Sequence, residues 1–277
     1  MADRGKKNIV LVHYHLRRGG VTRVIEAARE VLEKQGHRVL ILSGEEPFDG
    51  KRADNVRIIQ ALNYRRTGSS VIASSLADAM RKEAREWFGG EPDLWHFHNP
   101  TLAKNVLFPT AVRELAEAGE RILLQIHDFA EDGRPGNYSQ QRSFFDSQDS
   151  FETTLYPVAK QIHYATINRR DFGFLKNAGL PASNLHVLAN AISQMPVSGT
   201  PPERPFAKNL LFGLYPSRGI RRKNIGELLL LALKFEGQAF FASSLSPENP
   251  DWQASHQRWV ELVEELGLTL PDVSEAA

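Results

Sequence analysis

Asn8 to Leu42 reads NIVLVHYHLRRGGVTRVIEAAREVLEKQGHRVLIL, and this stretch decides the fold. Asn8 to His13, NIVLVH, reads as a buried strand with Ile9 to Val12 its apolar run. A glycine pair, Gly19–Gly20, follows. Val24, Ile25, Ala28, Val31 and Leu32 then recur at helical spacing from Thr22 to Lys34. Gly36 supplies the stop, and His37 to Leu42 is a second buried strand. Strand, helix and strand in this order imply a parallel pair joined by a right-handed crossover.

The alternation continues outward from there. A polar insertion, Ser43 to Arg52, leads to a weaker strand at Val56 to Ile59. Helix is expected over Val71–Phe88, Thr101–Ala118, Phe151–Gln161 and Arg170–Ala178. Strand is expected over Asp93–His98, Arg121–His127, Ile162–Ile167 and Asn184–Leu188. Phe129 to Ser150 reads as a long loop with little regular structure, of the kind that forms a lid or binds an acceptor. Ala189 to Pro205, rich in Pro, Ser and Gly, reads as a linker. A second strand–helix–strand unit begins near Lys208: Leu210 to Tyr215, a helix entered at Ser217 or Asn224, then Gln238 to Ala242 and a helix over Trp252–Leu266. The expected fold class is α/β. A doubly wound, Rossmann-type domain spans 1–195, a linker 196–207 and the first part of a second such domain 208–277.

The 277 residues carry a formal charge of +1, too balanced for a chain whose main partner is a nucleic acid. No cysteine is present, which removes disulfides, thiolate nucleophiles and Cys-ligated zinc, and fits a reducing, cytoplasmic setting. No run approaches the roughly 18 apolar residues of a membrane span. Peripheral membrane contact stays open.

Sites are expected at the carboxyl ends of the strands. Three of them end in polar rings: His13–Tyr14–His15, His96–Phe97–His98–Asn99 and His127–Asp128. His96 and His98 are expected on opposite faces of their strand, which argues against a shared metal ion. Gly19–Gly20 is not a GxGxxG motif, and Glu45 is the nearest acidic residue after the second strand, so a nicotinamide or flavin cofactor is not expected. Glu131, Asp132 and Arg134 should lie at the cleft mouth. Four of the six residues from Arg218 to Lys223 are basic and precede a helix, a place suited to an anion. The bland alternative is a solvated basic loop. No Asp-x-Asp pair occurs anywhere, which leaves cationic side chains and helix dipoles to neutralise a phosphate.

Taken together these motifs resemble the GT-B-fold retaining glycosyltransferases of family 4. The resemblance is carried by Gly19-Gly20-Val21-Thr22-Arg23, by DLWHFH at 93–98, by Gln125-Ile126-His127-Asp128, by HVLANAI at 186–192, and by Gly213 to Leu230 with Arg218 and Lys223 five apart. It implies two Rossmann-like domains and transfer of a hexose, with retention and without metal or cofactor, from a nucleotide diphosphate sugar to a glycan or small-molecule acceptor. It places His127 against the transferred sugar, Arg218 and Lys223 on the donor diphosphate, and Gly19 and Gly20 near the diphosphate or acceptor; Asp128, next to His127, is a second catalytic candidate that the resemblance does not itself supply. His98, Glu131 and Arg134 fall on the acceptor or sugar side. Asn224 stands where the family usually has Gly. The family's later pair of glutamates, about eight apart, is expected beyond residue 277, and Glu261, Glu264 and Glu265 lie too early to replace it. The second domain therefore reads as truncated, to be completed by further chain, a second polypeptide or a dimer. Two other readings stand beside it: a non-catalytic nucleotide- or glycan-binding module, or half of a split enzyme; and an unrelated Rossmann-type epimerase or dehydrogenase.

Overall fold

The computed structural model describes residues 5–48, 50–132, 134–190, 209–217, 219–220, 223–243, 247 and 250–268. The chain divides into two compact units, Met1–Met195 and Pro196–Ala277.

In the first unit seven parallel strands form one sheet in the order β3-β2-β1-β4-β5-β6-β7. They are β1 (Asn8–Val12), β2 (Arg38–Ser43), β3 (Val56–Ile58), β4 (Leu94–His98), β5 (Ile122–Ile126), β6 (Ile162–Thr166) and β7 (Leu185–Val187). The strand order reverses direction between β1 and β4, the switch point at which open α/β sheets bind ligands.

Helices cover both faces, which is why the strands read as unbroken apolar runs rather than alternating ones. On one face α1 (Gly20–Lys34) seats Ile25 among Ile9, Leu11, Val39, Ile41 and Val56. On the other, α2 (Ser70–Phe88) and α3 (Phe108–Glu117) pack Leu76, Met80, Phe108 and Leu115 against Val10, Val12, Trp95, Phe97 and Leu124. Trp95 is wholly buried, and its indole N–H reaches Glu120 at 3.1 Å. The remaining helices of this unit are α4 (Pro135–Arg142), α5 (Gln148–Leu155) and α6 (Arg169–Asn177).

Three expectations need correction. Thr101–Leu107 is not helical; α3 starts at Phe108, with a proline in its first turn. Ala103 takes a left-handed φ of 56°, and the Asn105 amide donates to the carbonyls of Ala61 and Asn63, both at 2.7 Å. Those bonds hold the segment as a turn across to the loop after β3. The stretch 129–150 is not structureless but contains α4 and the start of α5. Polar anchoring shapes it: buried Gln141 donates to the Val106 carbonyl at 3.1 Å, and Ser147 caps α5 in a capping box. Finally α5 ends at Leu155 rather than Gln161, because Pro157 cannot continue it.

The second unit contains β8 (Leu211–Tyr215) paired in parallel with β9 (Ala239–Ser243), together with α7 (Ile225–Lys234) and α8 (Pro250–Glu265). Ile225, Leu228, Leu229 and Ala232 form the buried stripe of α7. The expected linker lies outside the described residues from 191 to 207.

Candidate active site

Because all seven strands run parallel, their carboxyl ends share one edge of the sheet. There the structure brings together residues from three strands that are neighbours in the sheet but far apart in sequence. His13, one residue past β1, donates from Nδ1 to the His98 carbonyl at 2.9 Å. His98, the last residue of β4, places Nδ1 3.1 Å from Nε2 of His127, one residue past β5. The rings of His98 and His127 are stacked at 5.4 Å.

Asn99 completes the junction. Its carboxamide oxygen accepts from the backbone N–H of His127 at 2.7 Å and of Asp128 at 3.1 Å. Its own carbonyl accepts the Tyr14 hydroxyl at 2.6 Å. Asn99 adopts a left-handed φ of 55°, a conformation that asparagine tolerates better than most residues.

His96 and His98 lie on the same face of β4, their rings stacked at 4.3 Å, which corrects the expected placement on opposite faces. Side chains alternate along a strand with period two, so residues two apart share a face. His96 Nε2 lies 2.9 Å from the Gln125 carboxamide oxygen. No group of three or more metal-ligating side chains is found among the described residues.

Burial makes these imidazoles weak bases. It pushes His13 down to about 3, His96 to about 4 and His127 to about 4, and His98 well below the usual range. At neutral pH they are uncharged rings that exchange hydrogen bonds and do not act as cations. The half-buried Asp128 is ion-paired with Arg134 at 3.3 Å. Glu131 accepts from the hydroxyl of half-buried Tyr156 at 3.0 Å, and Asp132 pairs with Arg170 at 3.6 Å. These contacts tie the segment after β5 to its own domain.

Gly19 and Gly20 open α1. Gly19 is its N-cap, with extended backbone and no side-chain cap. A Cβ at Gly20 would meet nothing within 4 Å. Beside this loop Arg17 is ion-paired with Glu45, which also accepts from Asn63 at 2.9 Å. Glu45 is thereby engaged within the protein. Tyr64 bonds His15 Nε2 at 2.8 Å and lies under the cations of Arg17 and Lys104. Tyr64 and Lys104 were not expected here, since a single aromatic or lysine in a polar loop gives no periodic signal.

A groove of about 620 Å³ also exists beyond α1 on the same sheet face, lined by Leu94, Leu123, Ala165 and Leu188. None of His13, His98, Asn99 and His127 lines it, so the candidate site remains at the carboxyl edge.

In the second unit Lys223 is exposed just before α7, and its carbonyl accepts the Tyr215 hydroxyl. Arg218 lies outside the described residues. Asn224 is the N-cap of α7, in the left-handed region at φ 51°. That conformation suits glycine and asparagine alike, so a family that usually has Gly here tolerates Asn.

With this geometry in view, the comparisons define the class. Residues 18–193, well over half of the chain, match the family described as Glycosyltransferase Family 4, and the chain belongs to that family. It is 30% identical over 280 residues to mannosylglucosyl-3-phosphoglycerate synthase of Petrotoga mobilis. That alignment takes in 91% of this chain and 53% of the relative, so the chain spans about half the relative's length. Among solved structures it resembles a glycosyltransferase from Rickettsia africae (TM-score 0.63, 16% identity, 97% of this chain and 68% of that one). It also resembles the Anabaena protein HepE in complex with UDP-glucose (TM-score 0.60, 13% identity, 97% and 69%). A third likeness is to the catalytic domain of Arabidopsis thaliana starch synthase IV bound to ADP and acarbose (TM-score 0.58, 13% identity, 98% and 74%). The fold is α/β of the GT-B glycosyltransferase class.

Proposed function

We propose that the protein transfers a hexose from a nucleoside diphosphate sugar to an acceptor, with retention at the anomeric carbon and without a metal ion. The observation that carries this reading is the convergence of His13, His98, Asn99 and His127 at the switch point of the sheet, in a chain of family 4. His127 binds the transferred sugar as a neutral imidazole, and Asp128, held by Arg134, faces the same edge. Glu131 and Arg134 border the acceptor side, and Gly19 and Gly20 lie near the donor diphosphate, with Gly20 leaving open space beside the backbone.

On the donor side Lys223, Arg218 and the positive end of α7 take up the charge that grows on the departing diphosphate. Interactions that strengthen as that charge develops lower the barrier rather than merely tightening binding. The acceptor carries a phosphate or carboxylate. The name of the Petrotoga relative denotes a phosphoglycerate group, and Arg17 and Lys104 gather around Tyr64 at the edge where an acceptor would enter.

Calorimetry with uridine, guanosine and adenosine diphosphates in EDTA tests the donor half. One of the three binds the wild type, and Lys223→Ala and Arg218→Ala weaken it about tenfold or more, as loss of a charge-assisted contact implies. Equal binding by all three proteins removes the donor assignment. Transfer assays with 3-phosphoglycerate and its glucosyl derivative test the acceptor half. Donor binding without transfer or donor hydrolysis would instead support the non-catalytic module.

A further inference from the structure

His98 has two ring nitrogens and, as a neutral imidazole, one proton to divide between them. Nδ1 faces His127. Nε2 is wholly buried and has no hydrogen-bond partner among the described residues. The carboxamide nitrogen of Gln125 is likewise buried without a partner. Gln125 is the register partner of His98 on the adjacent strand, so the two side chains stand side by side on one face.

A proton on Nε2 would add a second unmet donor to the same buried face. A proton on Nδ1 leaves only an unmet acceptor at Nε2. Orphaned buried donors are the rarer and costlier case. The same face supplies a check. His96 Nε2 meets the Gln125 carboxamide oxygen, which can only accept, and no bond from that oxygen reaches His98 Nε2. His13 in turn takes the His98 carbonyl, which fixes the main chain from which the ring projects.

We infer that His98 is a positioning residue that sets the tautomer of His127: His98 donates from Nδ1 to His127 Nε2, so the His127 proton resides on Nδ1. Asn99 holds the other end of the same unit by clamping the N–H groups of His127 and Asp128. His127 then offers a bound ligand an N–H donor rather than a basic nitrogen. It recognises a hydroxyl or phosphate oxygen and does not remove a proton. This deepens the reading proposed above for His127, yet it concerns the resting protein and is measured without any transfer reaction.

The test is two-bond proton–nitrogen NMR of histidine-labelled protein at neutral pH. The His127 signals are identified by their loss in His127→Gln. In the wild type the expected pattern is a protonated Nδ1 and a bare Nε2. This is the reverse of the tautomer that a free imidazole side chain prefers. His98→Asn places an amide N–H where Nδ1 stood and keeps that pattern. His98→Leu removes the donor, and the two His127 nitrogens revert to the Nε2-protonated form or to an average. A wild-type spectrum with the proton on Nε2, or a His127 pattern that is the same in His98→Leu as in wild type, overturns the proposal. Should His98→Leu fail to fold, the wild-type pattern alone decides.

Discussion

Two parallel strand pairs in this molecule carry similar apolar sequence and meet different fates. In the first unit β1 lies between β2 and β4 with helices on both faces, and Val10, Leu11 and Val12 are wholly buried. In the second, β8 pairs with β9 in a two-stranded sheet, and Leu211 remains 71% exposed. On α7, Leu228 and Leu229 are buried while Leu230 is 67% exposed. An apolar run therefore specifies a strand or helix. Burial is specified by what lies on either side. The lesson is practical: the same substitution type should have opposite weight in the two units.

The widest separation between them is expected in acid. A histidine whose folded pKa is depressed contributes stability that is fully present above its unfolded value, about 6.5. That contribution is lost as pH falls through the window down to the folded pKa, because the unfolded chain binds the proton first. For His13 the window closes at about 3, and for His96 and His127 at about 4. Each imidazole costs about 1.4 kcal/mol per pH unit inside the window. The opening free energy of β1 and β4, read from amide exchange corrected for the intrinsic rate at each pH, should fall steeply between pH 6.5 and 4.5, by several kcal/mol in total. A flat profile for these strands would show that the imidazoles are not buried as a neutral set.

Next comes the core. Trp95→Ala should cost roughly 3–5 kcal/mol in urea unfolding, as expected for removal of a fully buried aromatic. Leu230→Ala in the second unit should fall within about 0.5 kcal/mol. Comparable losses at the two positions would mean that Leu230 is covered in solution, and would erase the contrast. Effects smaller than that at Trp95 are expected at helix starts. Asn168 caps α6 by accepting from the Asp171 N–H at 2.9 Å, and Asn168→Ala should cost about 1 kcal/mol. Asn224 makes no side-chain cap bond, so Asn224→Gly should change thermal stability by only a few tenths of a kcal/mol.

Most of the first sheet could be read from the chain because its strands are short apolar runs bounded by glycines and polar turns. The helix at 135–142 could not. It is built on Gln141 and on hydrogen bonds from polar side chains, which leave no periodic signature. The start of α3 is hidden because Asn105 holds the preceding turn through contacts with residues about 40 positions away. At the site, the strand-end histidines were visible. Their shared face was not recognised, although the two-residue period of a strand dictates it. The role of Asn99 was out of reach, since it depends on a left-handed backbone and on the register between β4 and β5.

Tyr14, Asn99 and His127 are joined by bonds that span 85 and 28 positions of the chain. The full set closes only when three separate segments have docked, and closing such distances is the slow part of assembling a sheet of this kind. The site is thus a late product of folding. Loosening the turn after β1 would release His13 and Tyr14 from the end of β4 while the strands stayed paired, so loss of ligand recognition on warming should precede the loss of secondary structure.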